Sequence, residues 1–228
     1  MEAYENLIQR RINTDNSLAK TRSWPPSDTV LGSSLASFES TLGAHRASVR
    51  NLSMTITYNI EFYTNITHAF MDWADNSVIL PEKGQLWSLL VTVSAMLRIS
   101  DAIGIQRALG ATFFTLCGFT DNNMNYFIGL EGQTKSLFEL AFNYHPMTLE
   151  RYQQRFLGSE LDTEIAWKKS LIISTTYPTL CLDIEEEIRF QKSLAWFSNL
   201  TSYIVLLKVS FKTYEYMITI TNIEVKDC

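Results

Sequence analysis

The segment LWSLLVTVSAMLRISDAIGIQRALG, residues 86–110, decides the fold prediction. No proline interrupts it, and apolar residues recur at alternating spacings of four and three, which is the pattern of an amphipathic α-helix. We predict one helix from about Leu86 through Phe113, central in its bundle. Its predicted core-facing line begins with large apolar side chains, becomes small and ends at a charge: Leu86, Leu90, Val93, Leu97, Ser100, Gly104 and Arg107.

The rest of the chain repeats this helical spacing. Nine glycines and five prolines in 228 residues are few for a β-sandwich or barrel of this length. Turn residues divide the chain into predicted helices near 3–22, 31–50, 52–78, 85–116, 121–143, 147–157, 160–175, 183–192 and 194–212. Long helices with short connections pack as antiparallel bundles, so we predict an all-α fold with more than about 60% helix and essentially no sheet up to residue 208. The tail after Ser210 is rich in β-branched residues and fits the helical pattern poorly.

Composition excludes several classes of function. The net charge is −5 and no basic run exceeds Arg10-Arg11, so a nucleic acid partner is not expected. The three histidines, His45, His68 and His145, share no metal-ligand spacing, and no metal or other cofactor is predicted. Phosphate-binding glycine loops and nucleophile elbows are also missing, and we therefore predict that the chain is not an enzyme.

Cysteines and membrane signals leave some questions open. Cys117, Cys181 and Cys228 have no metal-ligand spacing; one disulfide can form and leave a thiol over, or Cys117 and Cys181 are two packed thiols. The start carries no signal peptide, and no stretch approaches the roughly 18 apolar residues of a membrane span. Sequons occur at three asparagines and permit an extracellular setting: Asn51, Asn65 and Asn199.

The small residues before Arg107 suggest a binding site. Ser100 and Gly104 remove bulk where neighbouring helices would pack, and a gap beside Arg107 could hold a small anion. A guanidinium turned inward needs a partner, because an unpaired buried charge is costly. The alternative is a structural arginine, paired with Asp101 or Glu131 or extended to the surface.

The segment around Arg107 resembles the motif of the NIT domain, a helical nitrate- and nitrite-sensing domain. That motif reads acidic, two spacers, Gly, one spacer, Glu-Arg-Ala. Asp101, Gly104, Arg107 and Ala108 match it, and Gln106 stands in place of the Glu. The resemblance implies an all-α fold of two packed helical bundles sharing long helices. It also implies that Arg107 is the principal ligand of nitrate or nitrite, that Ser100 and Gly104 make room, and that Asp101 orients polar groups.

Other elements resemble the version of this domain in animal receptor guanylate cyclases, in the same order along residues 8–208. They are Arg11–Asp15, Trp24-Pro25, His45-Arg46, Ile60–Tyr63, Asp72-Trp73, Cys117–Phe119 and Trp196–Tyr203. The resemblance implies a sensory domain at 1–208 followed by a divergent tail at 209–228. In a full-length relative, the domain would lie on the extracellular face of the plasma membrane, with a membrane span and an output domain.

Two departures qualify the resemblance. The family begins with a helix carrying a Gln-x-Glu-Arg motif, which supplies a second anion-binding arginine, and no such helix fits before Arg11. The sequence after Lys208 also differs from a helix leading into a membrane span, so we interpret the chain as truncated or as a fragment. The alternative function is a structural or homodimerising helical module whose anion site has decayed, which the missing first helix and Gln106 in place of the usual Glu both favour.

Overall fold

The computed structural model describes residues 2–21, 24–25, 30–50, 54–78, 85–119, 121–174 and 176–226, without the side chains of 2–7, 10, 50, 77–78, 85–86, 121 and 210–226. The described ranges contain nine α-helices and no strand. The predicted all-α helical bundle is confirmed. The chain divides into two compact units, Met1–Trp73 and Ala74–Cys228.

The first unit contains α1 (Glu2–Ala19), α2 (Leu35–Arg50) and most of α3 (Ile56–Val78). Its core is built on three buried side chains, Leu31, Phe38 and Leu42. Aromatic and aliphatic residues pack around them: Leu18, Trp24, Phe62, Ile66, Ala69 and Phe70. The Trp24, Phe38 and Phe70 rings lie within 5.8 Å of one another. The Trp-Pro element of the resemblance therefore supplies a core residue.

Polar contacts join the helices of this unit. Arg46 donates to the Asp15 carboxylate at 2.8 Å, which ties α2 to α1. His45 is 4% exposed, stacks on the Phe62 ring with centroids 3.5 Å apart, and has Nε2 2.8 Å from the Asn59 side-chain oxygen. The His45-Arg46 element and the Arg11–Asp15 element therefore have structural roles here.

The second unit contains the remaining helices, and α4 lies at its centre. They are α4 (Gln85–Leu116), α5 (Asp121–Tyr144), α6 (Pro146–Arg155), α7 (Glu160–Ile173), α8 (Tyr177–Leu182) and α9 (Glu186–Lys226). α4 packs most extensively against α9 and α5, and α9 also contacts α6 and α7. The prediction of a central helix through Phe113 is confirmed in its extent.

Two boundaries differ from the prediction near the end of the chain. The gap predicted between the helices at 160–175 and 183–192 contains the short helix α8, which Tyr177-Pro178 opens, because proline is tolerated in the first turn of a helix, where its missing N–H has no intrahelical partner. The predicted helices at 183–192 and 194–212 are one helix, α9, and its backbone stays helical through Lys226. The interpretation that the tail after Ser210 fits a helix poorly is therefore wrong. Local helix propensity is only a weak guide to the structure that a segment adopts.

A disulfide between Cys117 and Cys181 joins the end of α4 to α8, with the two Cα atoms 5.4 Å apart. Cys117 has a φ of 60°, the left-handed conformation that often follows a helix, and Gly118 N–H donates to the Phe113 carbonyl at 3.2 Å. Arg189 of α9 places Nη1 3.4 Å from the Cys117 sulfur. Of the two alternatives that the sequence left open, the disulfide is confirmed and the two packed thiols are wrong. Spacing alone does not reveal that a chain reversal brings the two cysteines together. Cys228 lies outside the described residues.

Replacing both Cys117 and Cys181 with alanine should lower the free energy of unfolding by about 2–4 kcal/mol. The bond closes a loop across a sequence separation of 64 residues. Removing the bond raises the conformational entropy of the unfolded chain, which favours unfolding. Urea unfolding monitored by circular dichroism, with Cys228→Ser as the matched control, measures the difference. Equal unfolding free energies in the double variant and the control would contradict the bond's contribution.

Candidate functional site

The buried side of α4 is displaced from the predicted line. Leu97 is 47% exposed, and Leu90 and Val93 are half-buried. The buried line runs instead through Leu89, Thr92, Met96, Ile99, Ile103, Gln106, Gly110 and Phe113. α4 is apolar on nearly every side, so several lines with the same spacing fit its sequence. The line ending at Arg107 is the partly exposed face of the helix, and the side chain of Leu86 lies outside the described residues.

Gly110 allows α9 to approach α4 closely. A Cβ placed on Gly110 would collide with the Trp196 indole, because the Cβ would lie 2.8 Å from the indole Cζ2 atom. Trp196 is fully buried, and its Nε1–H donates to the backbone carbonyls of Arg107 at 3.0 Å and Gln106 at 3.3 Å. The backbone at Arg107 is therefore fixed directly by α9. Sequence reasoning assigned no role to Gly110.

The Arg107 side chain lies against α9. Its Nη1 donates to the Thr201 hydroxyl at 3.0 Å, and its guanidinium carbon is 4.5 Å from the centre of the Phe197 ring. Thr201 in turn donates to the Phe197 carbonyl at 2.7 Å. A cation over an aromatic face is stabilised by the ring quadrupole. Arg107 is half-buried as a residue, and its Nε atom is buried.

The predicted neighbours of Arg107 occupy different positions on the helix. Gly104 is half-buried, and no atom lies within 4 Å of the point where a Cβ would stand. Ser100 is half-buried, and among the described residues its hydroxyl has no hydrogen-bond partner. Asp101 is also half-buried. At about 100° per residue, Ser100 lies close to the Arg107 line, whereas Asp101 lies about 120° round the helix from it. We call Ser100, Gly104, Arg107, Phe197 and Thr201 the Arg107 face.

Glu131, one of the two acidic partners suggested for Arg107, pairs with another residue. Its carboxylate contacts the ammonium group of Lys169 on α7. The neighbouring Lys168 is 5% exposed and pairs with Glu164 at 2.9 Å. The charge of Glu131 is therefore compensated by Lys169 across α5 and α7, and it does not need Arg107 as a partner.

Gln106 is buried in the core, although it precedes Arg107 in the sequence. It is 0% exposed, and neither amide atom has a hydrogen-bond partner among the described residues. A glutamate at this position would place a charge in the core, which is far more costly than a neutral amide. The sequence indicated a Glu-to-Gln change here, but not that the side chain is fully enclosed.

The described residues contain no group of histidines, cysteines and carboxylates arranged to hold a metal ion. They do contain one helix, Trp87–Leu116, that is long and apolar enough to cross a membrane by length and composition. The expectation that no stretch approaches a membrane span is therefore wrong. This helix is α4, the centre of the second unit, and the core helix of a bundle meets the same criterion.

The family model for nitrate and nitrite sensing matches residues 2–210, which is most of the chain. The chain belongs to the NIT family. It is therefore a nitrate- and nitrite-sensing domain, a member of a family of sensory domains. No curated protein and no solved structure matches the chain.

Alanine at Gly110 and alanine at Gly104 should have opposite effects on stability. Gly110→Ala forces the Trp196 indole to move within a packed core, so we expect a loss of about 1–3 kcal/mol. Gly104→Ala adds a methyl group in open space on a helix, so we expect no loss or a gain of about 0.5–1 kcal/mol. Chemical denaturation of the two variants beside the wild type measures both effects. Equal destabilisation by the two substitutions would contradict the α4–α9 contact.

Proposed function

We propose that nitrate or nitrite binds at the Arg107 face, with Arg107 as its principal ligand. A guanidinium presents a planar fork of N–H donors that matches a planar oxyanion, and hydrogen bonds between charged groups are the stronger ones. The support is the position of the guanidinium, which is held by Thr201 and Phe197 beside the open space at Gly104. The anion would approach from the side away from the Phe197 ring.

Ser100 and Asp101 complete the proposed site. The Ser100 hydroxyl can donate to an oxygen of the anion, because it makes no hydrogen bond to the described residues. Gly104 leaves room between Ser100 and Arg107 on the same side of α4. We assign Asp101 the weaker role of orienting polar groups, since it lies away from the Arg107 line.

We propose that binding is communicated through α9. An anion at Arg107 competes with Thr201 for the guanidinium donors, and Thr201 belongs to α9. A ligand that changes this contact favours one packing of α4 against α9 over another. α9 has 41 residues and continues to Lys226, so a shift at Thr201 can be carried along the helix. The output would be a domain such as a receptor guanylate cyclase, with 1–208 as the sensory domain and 209–228 as a divergent tail.

An extracellular setting is supported by two features. The Cys117–Cys181 disulfide is typical of oxidising compartments. The Asn65 sequon lies on an exposed position of α3, where a glycan can be accommodated. The Asn199 sequon is half-buried, and its amide oxygen can accept from Lys168 Nζ at 3.1 Å. Asn51 lies outside the described residues.

A structural or homodimerising module is the second candidate. Its support is that Thr201 and Phe197 already engage Arg107 within the chain. Exposed apolar side chains on the same two helices, Leu97 of α4 and Leu194 and Val205 of α9, could also pack against a second copy. In this case, removing the arginine would alter stability or association without altering a response to nitrate.

Nitrate should raise the melting temperature of the chain, and Arg107→Ala should abolish the rise. With a single arginine as principal ligand we expect a Kd of about 1 mM. Nitrate at about 10 mM then stabilises the native state by about 1.4 kcal/mol, which raises the melting temperature by roughly 3–6 °C. Differential scanning fluorimetry in sodium nitrate, against sodium chloride at equal ionic strength, measures the shift.

Arg155→Ala is the matched control, because it removes an exposed guanidinium from the end of α6 with the same change in net charge. It should keep the full nitrate shift. A nitrate shift retained in Arg107→Ala would place the site elsewhere. No nitrate shift in the wild type, together with a changed sedimentation coefficient in Arg107→Ala, would favour the dimerising module.

A further inference from the structure

A cavity of about 360 Å³, open to solvent on one side, lies between α4 and α5, and its walls are mostly apolar. Trp87 and Val91 of α4 face Leu137 and Leu140 of α5, and Ala95, which is 2% exposed, is the most buried residue of the lining. Trp87 is held edge-on against Tyr144, with ring centroids 5.2 Å apart. Cavities above about 300 Å³ with apolar walls and a few polar groups are typical of small-molecule sites.

One polar cluster completes the lining. Asp75, from the last turns of α3, accepts from the Ser94 hydroxyl through Oδ1 at 2.5 Å. Its Oδ2 accepts from Arg98 Nε at 3.1 Å and from Nη2 at 2.5 Å. A carboxylate has about four acceptor positions, so one position on Oδ1 remains for a ligand. The cavity therefore offers a hydrogen-bond acceptor at the edge of an apolar space.

The charges of this cluster restrict the kind of ligand. Asp75 and Arg98 form an ion pair, so the cavity has no excess of either sign. An anion would lie against the Asp75 carboxylate, and a second cation would compete with Arg98 for it. Apolar walls also cannot offset the loss of water around a small ion. These properties favour a neutral molecule with a single donor group.

We propose that this cavity binds a small neutral aromatic molecule with one hydrogen-bond donor, of the class of indole or a simple phenol. The ring packs between Trp87 and the leucines of α5, and the donor points to Asp75 Oδ1. Arg98 and Arg107 are nine residues apart, which puts them about 180° apart around α4. This site is therefore separate from the Arg107 face, and its ligand differs from nitrate in charge and polarity.

Isothermal titration of residues 1–228 with indole tests the proposal, with benzofuran as the matched ligand, since it replaces the indole N–H by an oxygen of similar size. Saturable binding of indole is expected. Benzofuran should bind about fivefold more weakly, the factor that corresponds to one hydrogen bond of about 1 kcal/mol. Equal binding of the two compounds would overturn the role given to Asp75.

Two cavity-filling variants locate the site. Ala95→Leu fills the most buried part of the cavity, and Leu140→Trp fills its rim, where Leu140 is 38% exposed and a larger side chain leaves the core untouched. Each variant that retains the wild-type circular dichroism spectrum should reduce indole affinity at least tenfold, whereas Arg107→Ala should leave it unchanged. No indole binding by the wild type, or unchanged binding in Leu140→Trp, would overturn the proposal.

Discussion

The contact between Trp196 and the backbone of α4 at Gly110 sets the arrangement of the second unit. The indole occupies the space that any larger residue at 110 would fill, and its N–H binds the carbonyls of Gln106 and Arg107. Further contacts follow in antiparallel register, with Ser193 donating to the Ala111 carbonyl at 2.9 Å and Arg189 to that of Thr115 at 3.5 Å. Because α9 is fixed in this register, Phe197 and Thr201 lie beside the Arg107 side chain.

The helices could be predicted from the sequence because the information for them is local. Apolar spacing and turn residues placed most helix ends within a few residues of their observed positions. The orientation of α4 could not be predicted this way. Leu97 and Met96 are equally suitable for a core, yet Leu97 is 47% exposed and Met96 is 1% exposed. The packing of α5 and α9 against α4 decides between them, and that packing depends on residues distant in the sequence.

The same limit applies to the candidate site. Arg107 stood out because it is a charge on an apolar helix, but its contacts with Thr201 and Phe197 join residues that are 94 and 90 positions apart in the sequence. Both residues lie in the Trp196–Tyr203 element that resembles the family's last helix, which is the one signal that could have linked them to Arg107. The sequence left the Cys117–Cys181 disulfide undecided for the same reason. The bond depends on a reversal of the chain direction that the spacing of the cysteines does not reveal.

The burial of Gln106 changes how its departure from the family motif is interpreted. From the sequence, a glutamine in place of the usual glutamate beside Arg107 favoured a decayed anion site. The side chain is 0% exposed, whereas Arg107 lies about 100° round the helix on a partly exposed face. A glutamate enclosed here would need a buried cation or a raised pKa, and a glutamine needs neither. The substitution therefore concerns the polarity of the core, and it gives no independent support to the loss of an anion ligand.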